Sequence, residues 1–367
     1  MRFKIDKPGF IKLLQKIQGI VEKRNTMPIL ANVLLEAEEG TITVMATDLE
    51  VFIKDSAKAE TTEAGSVTIN ARKLFEITRE LPDDTIDVSS DKDDRVVIKS
   101  GKSRFTIMGL PSKDFPVFPE VDETKLEKID NASLREMIDK TSFAVSTDET
   151  RYNINGFLFE KEDTTIRMVA TDGHRLAYIE KKDIGSAAAG EKEGVLLPRK
   201  GVLEIRKLLE EDGEFTLGIT QKNAVMKRGN AIICVRLLEG EFPDYKKVIP
   251  KENDREVSAD RMGLLSSLKR VSILSTDKIK GVKFSFTKSK LTVSSSSPDL
   301  GEATEEMDID YQEEDIEIAF NARYFIDMLE SVTDEKVRIF LKDSLSPGIV
   351  RPAGSESYTY IIMPMRL

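Results

Sequence analysis

The chain of 367 residues contains no tryptophan, one cysteine and one histidine. A single cysteine excludes an intramolecular disulfide, and with one histidine it cannot form a cysteine–histidine metal cluster. Such sparse cysteine fits a reducing cytoplasm. No stretch approaches the ~20 apolar residues that a membrane span needs. The opening Met1-Arg2-Phe3-Lys4-Ile5-Asp6 has no apolar signal region. Gly-rich phosphate loops of either standard spacing are missing as well. No cofactor, metal or membrane partner is expected.

Repetition is the dominant positive signal. A small or proline residue followed by a basic pair opens a helical stretch at Ala71-Arg72-Lys73 and again at Pro198-Arg199-Lys200, with a degenerate third copy at Asn321-Ala322-Arg323. Thr47-Asp48 recurs as Thr171-Asp172, and Phe115-Pro116 as Phe242-Pro243, at steps of about a third of the chain. A period this long makes each copy a whole domain rather than a solenoid repeat. The bounds are read as 1–120, 129–250 and 251–367, with short links that favour rigid docking.

Within each copy two apolar stripes recur at helical spacing. The first helices carry Phe10, Leu13, Leu14 and Ile17, then Leu134, Met137, Ile138 and Thr141, then Leu264, Leu265, Leu268 and Val271. The second carry Leu74, Ile77, Thr78 and Leu81, then Val202, Ile205, Leu208 and Leu209, then Phe325, Met328, Leu329 and Val332. Alternating or β-branched runs such as 41–44, 85–88, 96–98, 165–169, 290–293 and 337–340 predict strands between turn residues. The fold class is therefore α+β, with two helices per copy packed on antiparallel sheets. Cys234, inside Ala231-Ile232-Ile233-Cys234-Val235, is expected to be a buried strand residue.

The net charge of −10 argues against nucleic acid at first sight, but its distribution matters more than its sum. Acid clusters at 91–94, 191–193, 210–212 and 302–315. Bases gather on the helical stretches, as Lys12, Lys16, Arg72, Lys73, Arg199, Lys200, Arg206 and Lys207. A basic surface inside an acidic shell would attract phosphate without reading sequence.

One segment looks enzymatic: Thr171-Asp172-Gly173-His174-Arg175-Leu176-Ala177. A hydrolase would use His174 as a base oriented by Asp172. No nucleophile motif accompanies the pair, and the spacing also suits a tight turn in which Gly173 takes an unusual conformation and Asp172 caps it.

This heptad closely resembles the signature of the bacterial DNA polymerase III β subunits, the sliding clamps. So do Pro28-Ile29-Leu30-Ala31-Asn32 leading to Thr47-Asp48-Leu49-Glu50, the segment Phe242-Pro243-Asp244-Tyr245, and Met363-Pro364-Met365-Arg366-Leu367 near the end. The resemblance implies a non-catalytic processivity factor. Two chains would join head to tail into a ring of six clamp-type domains around duplex DNA. Helix dimensions agree: twelve helices at ~10 Å spacing leave a hole of roughly 28 Å.

The resemblance further implies DNA contacts from Arg24, Arg151 and Tyr152, although Asn153 stands where some members carry a second tyrosine. It implies a groove for short apolar peptides of the polymerase α subunit, the clamp loader δ subunit, other polymerases and repair proteins. The matching residues are Ile154, Thr171, Gly173, His174, Arg175, Leu176, Pro243, Lys247, Val248, Asn321, Tyr324, Met363, Pro364, Met365 and Arg366. Lys247 stands where an arginine is frequent, and Ile279 where an aromatic occurs. The implied dimer contact sets Phe105 and Ile107 of one chain against Ile273 and Leu274 of the other. Two alternatives remain at this stage: the hydrolase, and a partner-binding scaffold that does not encircle DNA.

Overall fold

The structure, a computed structural model, describes residues 1–21, 27–82, 84–185, 194–210, 213–250, 253–275 and 281–366. Among them are six α-helices: α1 (Lys7–Ile17), α2 (Ala71–Glu80), α3 (Asn131–Thr141), α4 (Arg199–Leu208), α5 (Arg261–Val271) and α6 (Ala322–Ser331). Their apolar stripes are buried as the spacing predicts, with Ile77 half-buried. Full burial of each such side chain stabilises by roughly 1.5–3 kcal/mol, and this packing rather than intrinsic propensity holds helices this short.

Helix starts repeat between the first and third copies. Asp6 accepts a hydrogen bond from Gly9 N, and Asp260 accepts one from Gly263 N. Asn70 caps α2 through Lys73 N in the same way, and Asn321 caps α6 through Arg323 N, one residue earlier. Each such cap contributes ~1 kcal/mol. A Cβ at Gly9 would lie 2.8 Å from the Asp6 carboxylate, so glycine leaves the capping oxygen its place.

The chain gathers into two compact units, one mainly from Met1–Asn131 and Lys200–Leu237, the other mainly from Ala132–Ile184 and the residues from 238 onward. The first unit holds a five-stranded sheet ordered Glu60–Glu63, Arg2–Asp6, Thr85–Ser90, Arg95–Ser100, Ser103–Met108. Its eight-stranded sheet runs Glu127–Lys128, Thr216–Ile219, Asn223–Arg228, Ala231–Arg236, Val51–Lys58, Thr41–Thr47, Asn32–Glu38, Gly65–Asn70. The second unit holds an eight-stranded sheet ordered Gly194–Pro198, Gly156–Glu162, Thr165–Thr171, Arg175–Lys182, Tyr358–Ile362, Gly348–Pro352, Lys336–Leu341, Arg255–Asp260. Four more strands form its other sheet: Gly301–Asp308, Lys290–Ser297, Gly281–Thr287 and Ile316–Asn321.

The two eight-stranded sheets share one construction. In each, a strand from one sequence copy pairs antiparallel with a strand from the next, Phe52 opposite Cys234 and Leu176 opposite Ile361. The middle copy thus supplies strands to both sheets. Cys234 is 1% exposed, and burial pushes its thiol up to about 11, so it is inert packing.

The acid-rich Gly301–Asp308 is an edge strand, which the sequence pattern did not indicate because it has no apolar alternation. It is held from behind: Arg270 pairs with Glu305, and Ser267 Oγ donates to Glu305 at 2.9 Å. Charged side chains also protect an exposed edge from stray pairing.

Candidate partner-docking groove and basic helix faces

The heptad forms the turn between strands Thr165–Thr171 and Arg175–Lys182. Gly173 has φ +90, a region that other residues enter at a cost of 1–2 kcal/mol or so. Thr171 Oγ1 donates to Arg175 O at 2.6 Å and accepts from Gly173 N at 3.0 Å. Asp172 Oδ1 accepts from the backbone N–H of His174 and of Arg175, at 2.9 and 3.1 Å. Its Oδ2 lies 3.0 Å from Arg175 Nε. The hydrolase reading is thereby corrected: the carboxylate meant to orient His174 is committed to the turn and to Arg175, and the imidazole is on an exposed residue.

Arg175 is the hub of the wall. Its guanidinium also reaches Asp327 Oδ2 at 2.7 Å and the Phe143 carbonyl, and lies over the Tyr324 ring at 4.5 Å. Burial works against its charge, but Tyr360, Asp327 and Asp172 outweigh that and hold its pKa above the usual arginine value. Arg323 pairs with Asp327 at 2.7 Å, and Tyr360 Oη donates to Tyr324 O at 3.0 Å. From the other side Arg151 Nη1 donates to Asp172 O at 3.0 Å.

The tail is fixed beside this wall. After strand Tyr358–Ile362, Met363 N donates to His174 O at 2.9 Å and Met365 N to Ala319 O at 2.8 Å. Beneath lies an apolar cluster of Leu158, Val169, Leu176, Leu196, Tyr245 and Ile361. Tyr245 Oη donates to Glu160 at 2.7 Å, anchoring the short helix Tyr245–Lys247 that carries Lys247 and leads into Val248. Lys247, Val248 and Met363 line a hollow of about 560 Å³.

Of the residues expected in a groove, Gly173, His174, Pro243, Lys247, Met363 and Arg366 are exposed. Arg175, Val248, Asn321, Tyr324, Pro364 and Met365 are half-buried, and Asn321 caps α6. Ile154, Thr171 and Leu176 are buried, so they support the wall from behind rather than offering it surface. Sequence reasoning missed Phe143 and Asp327, which hold Arg175, and Pro250, Asn253, Lys342, Ser346 and Pro347 around the hollow. Only a charge partner for Arg175 could have been sought from sequence. Ile279 lies outside the described residues.

The basic residues divide into two kinds. Lys12, Arg72, Lys73, Arg199 and Lys207 are exposed; Arg72 and Lys73 share Glu76, and Lys207 is 2.7 Å from Glu204. Arg206 is half-buried and 3.1 Å from Glu210. Lys16 and Lys200 are different. Lys16 is 2.7 Å from the buried Asp55, and Lys200 pairs with Asp48, whose side chain is 3% exposed, and donates to Ile20 O at 3.1 Å. Both serve the fold of their unit before any ligand. Arg151 and Tyr152 are exposed; Arg24 lies outside the described residues.

Among the residues expected at a dimer contact, Phe105 is exposed and Ile107 half-buried on the edge strand Ser103–Met108. Ile273 is 73% exposed on the turn Ser272–Leu274, and Leu274 is half-buried.

The chain is thus built of repeated α+β domains, with a packed turn where a catalytic pair was conceivable. Three family models of the DNA polymerase III beta subunit match the chain in order: the N-terminal domain over residues 1–119, the central over 128–244 and the C-terminal over 246–366. A beta sliding clamp of Pseudomonas putida is 37% identical over 376 residues, covering 100% of both chains. That of Escherichia coli K12 is 35% identical over 369 residues with the same coverage. A solved sliding clamp from Bartonella birtlesii has a TM-score of 0.95 at 35% identity, again covering 100% of both chains. The chain belongs to the beta sliding clamp family of DNA polymerase III, whose members are accessory factors rather than catalysts.

Proposed function

We propose that two copies of this chain close head to tail into a ring around duplex DNA, with clamp domains at 1–120, 129–250 and 251–367. Phe105 and Ile107 of one copy then meet Ile273 and Leu274 of the other. Exposed apolar side chains at an edge strand and on a turn support this, because burial in a partner removes an aggregation hazard. The DNA is held without sequence reading by Lys12, Arg72, Lys73, Arg199, Arg206 and Lys207, with Arg24, Arg151 and Tyr152 adding contacts. The groove docks short apolar peptides of the polymerase α subunit, the clamp loader δ subunit, other polymerases and repair proteins in the cytoplasm.

The observation that carries the reading is the tail, fixed by Met363 N on His174 O beside an open hollow in a chain matched from end to end by clamp domains. The test is topological. Protein loaded on nicked circular DNA should survive a salt wash that strips ionic contacts, and should leave once the circle is cut. Equal loss from circular and linear DNA would leave only a partner-binding scaffold.

A further inference from the structure

We propose that Asp327 is a positioning residue for peptide docking: acting through Arg175, it fixes the ring of Tyr324 without touching the peptide itself. The inference rests on the docking reading above and adds to it a residue that the resemblance did not supply.

The wall that Arg175 centres is built from two sequence copies. The turn at 172–174 belongs to the second copy, and α6, which carries Tyr324 and Asp327, to the third. Arg175 is held from three directions. Its Nε meets Asp172 Oδ2 at 3.0 Å, its Nη2 donates to the Phe143 carbonyl, and its Nη1 meets Asp327 Oδ2 at 2.7 Å. The first two partners lie in the second copy. Asp327 supplies the tie to the third, and both side chains of that pair are 10% exposed. Without it the guanidinium would be anchored on one side of the wall alone.

Tyr324 lies one helical turn before Asp327, so the two are neighbours on the surface of α6. The Arg175 guanidinium sits 4.5 Å from the centroid of the Tyr324 ring, within the range of attraction between a cation and an aromatic face. The Tyr324 backbone is held separately, since Tyr360 Oη donates to its carbonyl at 3.0 Å. That bond leaves the torsions of the half-buried side chain undetermined. The guanidinium determines them, and it can do so only when its own plane is fixed. Three attachment points fix the plane, and Asp327 is the third.

The carboxylate has no spare capacity for a ligand. Arg323 Nε takes its Oδ1 at 2.7 Å, from a side chain that is 61% exposed. Two arginines then balance Asp172 and Asp327, which is the condition for a buried ion pair to persist. Asparagine has almost the same shape but offers one oxygen and an amide donor. It cannot accept from both arginines, and its N–H groups would face a cation. Asp327→Asn therefore loosens Arg175 while leaving the packing volume unchanged.

The experiment titrates a fluorescent polymerase-derived peptide against the full chain, unaltered and as Asp327→Asn. Affinity is expected to fall by about two- to tenfold, the cost of immobilising one freed side chain on binding. In a Tyr324→Leu background, which keeps an apolar wall without an aromatic face, Asp327→Asn should cost nothing further. A merely structural role would lower affinity equally in both backgrounds. Labelling with 3-fluorotyrosine gives a second reading. The Tyr324 fluorine line, assigned with Tyr324→Phe, should report one ring state in the unaltered protein and several in Asp327→Asn, collapsing to one at saturating peptide. Equal affinity of the two proteins, or the same loss in the Tyr324→Leu background, would overturn the positioning role while docking stands. Should Asp327→Asn fail to fold, the unaltered protein decides: several Tyr324 states in it would overturn the proposal, and one would support it. Failure of the peptide to bind the unaltered protein would overturn docking and, with it, the role assigned to Asp327.

Discussion

Asp48 and Asp172 hold the same place in two copies of one turn, yet their carboxylates serve different cations. Asp48 Oδ1 accepts from Glu50 N and Val51 N at 3.0 and 2.7 Å, as Asp172 Oδ1 does from His174 N and Arg175 N. Thr47 Oγ1 accepts from Leu49 N at 2.9 Å, as Thr171 Oγ1 does from Gly173 N. The free oxygen of Asp48 is taken by Lys200, and that of Asp172 by Arg175. The next strand follows suit, with Arg236 N on Glu50 O matching Met363 N on His174 O. One copy of the motif thus ties its strand to Ala231–Arg236 and to α4, while the other ties its strand to the residues that follow Tyr358–Ile362.

The turn predicts an asymmetry between its two central residues. Leu49 has φ +78 where the second copy has Gly173 at φ +90. Gly173→Ala should cost about 1–2 kcal/mol, because its Cβ would also meet Arg151 Nη2 at 2.9 Å. Leu49→Gly should be neutral or stabilising within about 1 kcal/mol, since relief of the left-handed strain is offset by a more disordered unfolded chain. Urea unfolding of both variants checks the pair.

Lys200 and Arg199 should separate stability from DNA affinity. Lys200→Met removes the cation from the Asp48 carboxylate, which keeps its bonds from Glu50 N and Val51 N, and should destabilise by about 1–3 kcal/mol. Arg199→Ala alters an exposed residue and should leave the unfolding midpoint almost unchanged while weakening binding to linear duplex at low salt. Equal destabilisation by both would refute the division of the basic residues.

Removal of residues 363–367 should abolish peptide docking and spare the fold. The strand Tyr358–Ile362 that completes the eight-stranded sheet lies before the cut, whereas the bonds to His174 O and Ala319 O lie within the deleted part. Fluorescence anisotropy with a polymerase-derived peptide, alongside a thermal melt, tests both halves of the statement.

A pH dependence with an unusual sign should come from Glu36. Burial, then Glu38, raises its pKa above 4.5, while Lys54 offsets this in part. A raised carboxyl pKa in the folded state favours folding at low pH, and that contribution disappears as pH rises through the folded value. Glu36→Gln should therefore stabilise the protein at neutral pH and lose that advantage below about pH 4.5, the unfolded value. Glu180 runs the other way. Its hydrogen bond from Tyr178 and its contacts with Arg167 outweigh burial and depress its pKa, so its contribution is present above 4.5 and declines as pH falls. Denaturation midpoints of Glu36→Gln and Glu180→Gln across pH 3–7 should diverge in opposite directions.

The stripe of Phe10, Leu13, Leu14 and Ile17 and its counterparts were legible because side-chain burial follows a local period. The turn at Gly173 was legible because few residues tolerate its backbone. The sheet pairing was not, since Cys234 opposite Phe52 and Ile361 opposite Leu176 depend on partners far along the chain that no local pattern encodes. The same reason hid Asp327 and Phe143 behind Arg175. It also made Lys16 and Lys200 look like free surface charge, because helical spacing reveals the face a lysine occupies and not the buried aspartate it meets there.

Strand exchange between successive copies has a consequence for synthesis. Strand Val51–Lys58 emerges from the ribosome long before Ala231–Arg236, and Arg175–Lys182 long before Tyr358–Ile362, so each presents an unpaired edge in the interval. The final apolar strand enters between Arg175–Lys182 and Gly348–Pro352, not at the rim of its sheet. The second unit is therefore complete only once strand Tyr358–Ile362 is available, and a ribosome stalled before that strand would hold an adhesive half-sheet rather than a closed one.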